Sequence, residues 1–351
     1  MSRTLCRLPV FTGLILVLTL TACGDRPEIH RERMLAFGTV VELSIYTTDR
    51  ELAQAAGEAV RQDLDYMHRA WHGWEPGPMG RTNQLLATGG EFSANPSILP
   101  LILEGQRLEQ DSKGLFNPAL GRLFALWGFH ADERAPAPPP KDADIHALLD
   151  RAPSMSDIQV RGIRIRSTNP AVQLDMGGYA KGYGVDRAME RLMDMGVEHA
   201  IINAGGDLRA IGKPGQRPWR IGIRHPDGEG VLASLELRGD ESVYTSGDYE
   251  RQFSHEGVRY HHILDPRTGQ PAREARSVTV IADNGAQADA SATALFVAGP
   301  QRFAKITASM GIRQAMLVDQ QGTVHMTPTM ALRIHFEHQP EPQVVIVEPL
   351  Q

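Results

Sequence analysis

Two adjacent histidines, His261 and His262, run through an apolar pair into the turn-forming Asp265-Pro266-Arg267-Thr268-Gly269 of the stretch RYHHILDPRTGQP. An imidazole titrates near neutrality and can take a proton from an attacking hydroxyl. Neighbouring residues on a strand face apart, so only one of the pair can serve a given site. The Asp, Pro and Gly that follow are what a tight reversal needs, and they are read as holding the turn. Other clusters also carry candidate chemistry. DMGGYAKGYGVD, Asp175 to Asp186, sets an acid at the end of an apolar strand, then two glycines, then a helix start bearing Lys181. Such a turn lets backbone N–H groups and a helix N-terminus approach a phosphate closely. NAGGDLRAIGKP brings Gly205, Gly206 and Asp207 to a second tight turn, and TSGDYERQF crowds Asp248, Glu250 and Arg251 among hydroxyls. ADASATALFVAG opens a helix in which Asp289 and Thr293, four apart, share a face. Singly, each has an ordinary reading: a Gly-Gly turn joins many strands to helices, and an acid in a first helical turn answers the helix dipole. Beside the glycine turns, Asp289 and Thr293 also suit a hard cation, because magnesium takes few protein oxygens and fills its shell with water and phosphate.

In this order the clusters resemble the FAD:protein FMN transferase family, the ApbE-like flavin transferases, from about Phe37 to Ala331. The Asp-Leu-Gly-Gly-x-Ala-Lys-Gly pattern falls on Asp175 to Gly182 and Asn-x-Gly-Gly-Asp on Asn203 to Asp207. Thr-Ser-Gly-Asp-Tyr-Glu-Arg falls on Thr245 to Arg251, His-x-x-Asp-Pro-x-Thr-Gly on His262 to Gly269, and the Asp-Ala helix on Asp289. The resemblance implies a mixed α/β, two-lobed fold with an FAD and metal site in the cleft between the lobes. It implies an enzyme that transfers FMN from FAD to a threonine or serine hydroxyl of an acceptor flavoprotein, such as a membrane redox-complex subunit, with AMP leaving. Such a reaction is phosphoryl transfer, in which a protein mainly positions the partners and neutralises charge. Carried over residue by residue, the family pattern puts Mg²⁺ on Asp289, Thr293 and the carbonyl of Gly178. It puts FAD against Asp175, Lys181, Leu264, the Leu115-Phe116-Asn117 segment and the ring of Trp74, and it makes His262 the general base, with His261 its bland neighbour. This chain departs from the pattern at Phe37, where a Met is usual, at Asn117 and Ala119 within Phe-Asp-Pro-Thr, and in the Ser-Ala-Thr of the metal helix. Two rival classes share the same residues: an FAD pyrophosphatase with water as acceptor, and a flavin-binding lipoprotein without chemistry.

The elements that must position these residues are legible from periodicity. In GTVVELSIYT, Val41, Leu43 and Ile45 alternate with polar residues as in a half-buried strand. Asp49 then caps a helix whose Leu52, Ala56, Val60, Leu64 and Met67 form one apolar stripe. A helix is expected over Ile98 to Gln110, a proline-rich loop at Arg134 to Lys141, and further helices near Tyr179 to Met195 and Ala286 to Val297. Short strands such as WRIGIR and SVTVIA alternate with glycine-rich turns, giving an α+β chain without tandem repeats.

At 351 residues and 42% hydrophobic content the chain can build a sizeable core, and its net charge of −6 offers no basic footprint for nucleic acid. Arg3 and Arg7 precede an apolar run, VFTGLILVLTL, too short to span a bilayer comfortably, and LTAC at Leu20 to Cys23 resembles a bacterial lipobox. Residues 1–22 are therefore expected to be a signal peptide and 23–36 a tether lipid-anchored through Cys23 on the periplasmic side of a membrane. Residues 37–331 are expected to form the transferase domain and 332–351 a C-terminal tail, whose VVIV would add an edge strand or cover one. Cys6 leaves with the signal and Cys23 carries lipid, so no internal disulfide is expected.

Overall fold

Val41, Leu43 and Ile45 all point into the core, at 0–2% exposure. Their strand is the second of a hairpin: β1 (Glu28–Ala36) and β2 (Thr39–Thr47) pair antiparallel from Glu28↔Thr47 to Ala36↔Thr39. The computed structural model describes residues 26–130, 137–228, 230–348 and 350. Asp49 caps α1 (Arg50–Trp71), its Oδ1 accepting from Leu52 N at 2.8 Å, a contact worth about 1 kcal/mol. The α1 stripe of Ala56, Val60, Leu64 and Met67 is buried as its spacing requires.

α2 (Pro78–Leu86), β3 (Phe92–Ser93), α3 (Leu99–Asp111), α4 (Gly121–Trp127) and α5 (Asp142–Leu149) follow, and β4 (Ile158–Arg161) and β5 (Arg164–Ser167) close a small antiparallel sheet with β3. Next come α6 (Ala180–Asp194), β6 (Ala200–Ala204), β7 (Asp207–Ile211), β8 (Arg220–Arg224), β9 (Val231–Glu236), β10 (Glu241–Gly247), β11 (Gln252–His255), β12 (Val258–His261) and β13 (Ala275–Ala282). Last are α7 (Gly285–Ser309), β14 (Gln314–Asp319), β15 (Val324–Met326), α8 (Pro328–Ala331), β16 (His335–Phe336) and β17 (Val344–Ile346). The main sheet has the order β1-β2-β6-β7-β10-β13-β14-β15-β17, antiparallel except for the β15–β17 pair. The main core joins residues of this sheet to α1, α6 and α7, and a second cluster joins Leu208, Val243 and Met316 to Leu232 and Leu235 of β9. α7 is broken at Gly299, whose φ of 66° precedes Pro300, as expected where proline pushes its predecessor out of the helical region. The architecture is mixed α/β.

Three expectations are corrected. Residues 28–36, expected in a tether, form β1, because Met34 and Ala36 bury against the core and the whole strand pairs with β2. The stretch expected as a tail is integral: Arg333 is buried against Glu241 at 2.6 Å and β16 pairs with β9, while the VVIV segment adds an edge strand, β17, as one of its two expected roles. Val172 to Asp175 is not a strand; it makes one parallel bridge, Gln173↔Leu120, and ends in a turn. Cys6, Cys23 and residues 134–136 of the proline-rich loop lie outside the described residues.

Candidate active site

Asp175 is held from several sides. Its backbone N–H donates to Pro118 O at 2.9 Å, its Oδ1 accepts from Gly177 N at 2.9 Å, and its Oδ2 accepts from the indole Nε1 of Trp74 at 3.1 Å. Gly178 follows where a side chain would collide: a Cβ there would lie 2.9 Å from Phe116 Cε2. Phe116 is buried edge-on to Tyr179, with ring centroids 5.8 Å apart. Asn117 is committed to its own loop, donating to Pro153 O at 2.9 Å and accepting from Ala119 N at 2.9 Å. Leu115 belongs to the main core, and Leu264 to a third apolar cluster with Leu123, Trp127 and Phe129. At Leu115, Asn117 and Leu264 the side chains are thus occupied, and the backbone is what these positions can offer a ligand.

The glycine turn delivers Lys181 at the start of α6, where its Nζ pairs with Asp207 Oδ2. Asp207 Oδ1 accepts from Thr245 N at 2.7 Å, so β7 and β10 together aim the carboxylate. Asp289 on α7 accepts from Gly182 N at 3.1 Å through Oδ2, and Thr293 one turn on shares a hydrogen bond of 3.2 Å with Ser246. The sequence thus brings Lys181, Asp289 and Thr293 together across α6, α7 and β10. Burial alone would lower the Lys181 pKa, but Asp207, Asp289 and Glu250 outweigh it and raise it. Asp289 is pushed well above the usual carboxylate range by burial and by the charges of Asp207 and Glu250, against the opposing pull of Lys181 and Gly182 N–H. Burial likewise raises Glu250, with Lys181 pulling the other way. Asp207 and Glu250 crowd the Asp289 carboxylate, with Lys181 and Arg224 as the opposing positive charges, and the Asp289 carboxylate and the Thr293 hydroxyl are hard oxygen donors suited to a cation.

The two histidines separate as their alternation requires. His261 ends β12 at 3% exposure, its Nε2 2.8 Å from Ala272 O and its ring edge-on to Phe296. Burial holds its pKa down at about 4. His262 lies just beyond the strand and is half-buried, edge-on to Phe129; its Nδ1 is out of solvent without a partner among the described residues. Burial and the charges of Arg251 and Lys181 lower its pKa to about 3, so the ring is neutral at physiological pH. After it, Asp265 accepts from Gly269 N through its carbonyl, and its carboxylate pairs with Arg267. Gly269 has φ 69°, and a Cβ there would lie 2.4 Å from Ile145 Cγ2.

On these residues the geometry meets the wider comparison. The family model described as the ApbE family matches residues 37–317. The chain belongs to that family. It is 41% identical over 325 residues to a FAD:protein FMN transferase of Rhodobacter capsulatus, covering 93% of this chain and 61% of that protein. It is 36% identical over 300 residues to one of Treponema pallidum, covering 80% of this chain and 82% of that protein. Among solved structures, the ApbE protein of Thermotoga maritima superposes with a TM-score of 0.80 at 31% identity, covering 89% of this chain and all of that one. The apo flavinyl transferase ApbE of Pseudomonas stutzeri gives 0.74 at 30% identity, with 85% and 93% covered.

For this ApbE-family chain, sequence reasoning named most of the charged cluster but assigned no role to Asp207 or Glu250, although both lay in singled-out motifs. It also passed over the segment Phe129-His130, which reaches both His262 and Trp74: the His130 ring lies 5.1 Å from that of Trp74. Trp74 further lines a cavity of about 590 Å³ with Glu75, Arg81, Gln84, Arg122 and Gln173. None of the other candidate flavin or metal residues lines it.

Proposed function

We propose that this chain transfers the FMN half of FAD to a threonine or serine hydroxyl of an acceptor flavoprotein and releases AMP. The observation that carries the reading is the single ammonium of Lys181 set among Asp207, Glu250 and Asp289 at a glycine turn, within electrostatic reach of a neutral His262. The relatives' names agree with it. The acceptor hydroxyl oxygen attacks the phosphorus on the FMN side of the pyrophosphate. A new phosphoester bond forms, the bond from that phosphorus to the bridging oxygen breaks, and AMP departs with that oxygen. His262 takes the hydroxyl proton. Its depressed pKa keeps the ring unprotonated and ready, and the negative charge of a bound pyrophosphate offsets Arg251 and Lys181, making the ring a stronger base when the substrate is present. Lys181 neutralises phosphate charge, while Asp175 and Trp74, joined by their hydrogen bond, orient the flavin nucleotide.

Gly178, Asp289 and Thr293 would hold Mg²⁺; the crowding of Asp207 and Glu250 around the Asp289 carboxylate, which a cation would relieve, is the feature that fits it. Bound there, the ion would supply charge neutralisation to the pyrophosphate as AMP leaves. Asp289 keeps its place through Gly182 N–H, and Thr293 through Ser246. The sequence around Cys23 supports a lipid anchor on the periplasmic side of the bacterial membrane.

The deciding experiment incubates the protein with FAD, Mg²⁺ and a threonine-bearing acceptor. Flavin fluorescence that persists on the denatured acceptor, with AMP released in equal amount, is expected. AMP and free FMN without a labelled acceptor would make the chain a pyrophosphatase, and binding without AMP release would make it a carrier.

A further inference from the structure

α6 and α7 meet through two rungs, one helical turn apart on each helix. In the first, Gly182 N donates to Asp289 Oδ2 at 3.1 Å. In the second, Asp186, four residues after Gly182, accepts from Gly285 N at 2.9 Å through Oδ1 and from Ala286 N at 3.1 Å through Oδ2. Gly285 precedes Asp289 by four, so the rungs form an antiparallel ladder with a spacing of one turn on both sides. The helices approach closely enough that a Cβ on Gly182 would stand 2.3 Å from Gly285 O. Asp186 is 3% exposed and is fixed from behind by Arg209, whose Nη1 lies 2.7 Å from its Oδ1. Arg209 in turn holds Asp240 at 2.9 Å. A buried carboxylate facing the first N–H groups of a helix grips that helix end firmly, because both orphan donors and the dipole favour it.

We infer that Asp186 is a positioning residue that fixes the register of α7 on α6, and through it the place of Asp289 relative to Lys181. The inference rests on the metal-dependent transfer proposed above. Neither Lys181 nor Asp289 is contacted by Asp186 itself; it acts through the first turn of α7, one turn before the metal ligand. Without that rung the first turn of α7 loses both of its acceptors from α6, and Gly182 N–H is left as the hydrogen bond from α6 to Asp289.

The test uses Mn²⁺ as a paramagnetic probe, read by water-proton relaxation on the protein without FAD, alongside single-turnover FMN transfer and thermal denaturation. Asp186→Asn removes the charge, and Asp186→Glu keeps the charge but lengthens the arm, so at least one should fold. Each is expected to raise the Mn²⁺ half-saturation about tenfold, the equivalent of roughly 1.4 kcal/mol, with transfer recovering at high metal. Asp240→Asn, which loosens the same network at its exposed end, is expected to leave the half-saturation unchanged. A half-saturation unmoved in the folded Asp186 variants, or moved equally by Asp240→Asn, would show that Asp186 is merely structural. Wild-type protein that binds Mn²⁺ no better than Asp289→Asn would instead remove the metal site on which the inference stands.

Discussion

The indole N–H of Trp74 donates to Asp175 across 3.1 Å, joining the entry to α2 to the glycine turn 101 residues later. Two residues that the family pattern sends to the flavin are therefore already in contact with each other. One neutral donor to a carboxylate contributes on the order of 1 kcal/mol or somewhat more. Trp74→Phe, which keeps an aromatic face and deletes the donor, should weaken FAD binding roughly fivefold with little change in the single-turnover rate. Equilibrium titration of flavin fluorescence measures it, and an unchanged dissociation constant would detach Trp74 from the site.

The histidines make a sharper pair. His262→Ala is expected to slow single-turnover FMN transfer by about 100- to 10,000-fold at saturating FAD, because a general base is lost while the nucleotide contacts remain. His261→Ala is expected to act on stability: it opens a void beside Phe296 and strips Ala272 O of its partner, for a cost of roughly 2–4 kcal/mol. Melting curves together with rates normalised to folded protein separate the two, and a larger normalised loss of rate for His261→Ala would reverse the assignment.

His261 also sets a pH dependence. Its folded pKa of about 4 lies below the ordinary 6.5, so the unfolded chain binds the proton first. The stabilisation from the neutral ring is complete above the unfolded value, declines as pH falls from about 6.5, and is gone near the folded value, at a slope of up to about 1.4 kcal/mol per pH unit. The difference in stability between the wild type and His261→Gln should therefore shrink across that window. A difference that stays constant from pH 7 to 4 would mean that the ring is not buried in its neutral form.

Asp289 should show opposite effects on stability and activity. Its carboxylate is buried with Asp207 and Glu250 nearby, and removing an undercompensated charge relieves that repulsion. Asp289→Asn keeps an oxygen for Gly182 N–H. In EDTA the variant should melt higher than the wild type, by about 1–2 kcal/mol of stability, and Mg²⁺ should restore no transfer to it. A lower melting temperature in EDTA would mean that the charge is well compensated without a cation.

The anchor is tested by fractionation. Cys23→Ala should release the protein from carbonate-washed membranes or block its maturation, since no helix among the described residues is long and apolar enough to cross a membrane. Retention on washed membranes of a variant shown to lack residues 1–22 would rule out a thioether-linked lipid as the anchor.

Much of this was legible in the chain because periodicity and capping act locally. β2 starts within a residue of its expected span, Asp49 caps α1 as its type suggests, and the four-residue spacing of Asp289 and Thr293 put both on one side of α7. What was not legible is non-local. β1 alternates weakly, with Glu28, Arg31, Arg33 and Leu35 exposed along it, and it is a strand because β2 offers an edge along its whole length. The apolar run before Asp175 reads as a strand, yet the chain there makes a single bridge to the 118–121 loop. Asp186 closes the glycine- and lysine-bearing motif, but its partners lie 23 to 100 residues away, and no spacing rule reaches them.

The β1–β2 hairpin has a mechanical corollary. β1 is the outermost strand of the main sheet, and all nine of its residues pair with β2, from Glu28 to Ala36 at the turn. A pull on Glu28 along the strand axis loads the rungs of that ladder together, in shear, whereas a sideways pull would open them one after another like a zipper. Force-ramp extension from the N-terminal side should therefore meet its main resistance in this hairpin before any helix is disturbed. Phe37 at its tip stacks on Trp71 with ring centroids 6.1 Å apart, tying the turn of the hairpin to the end of α1.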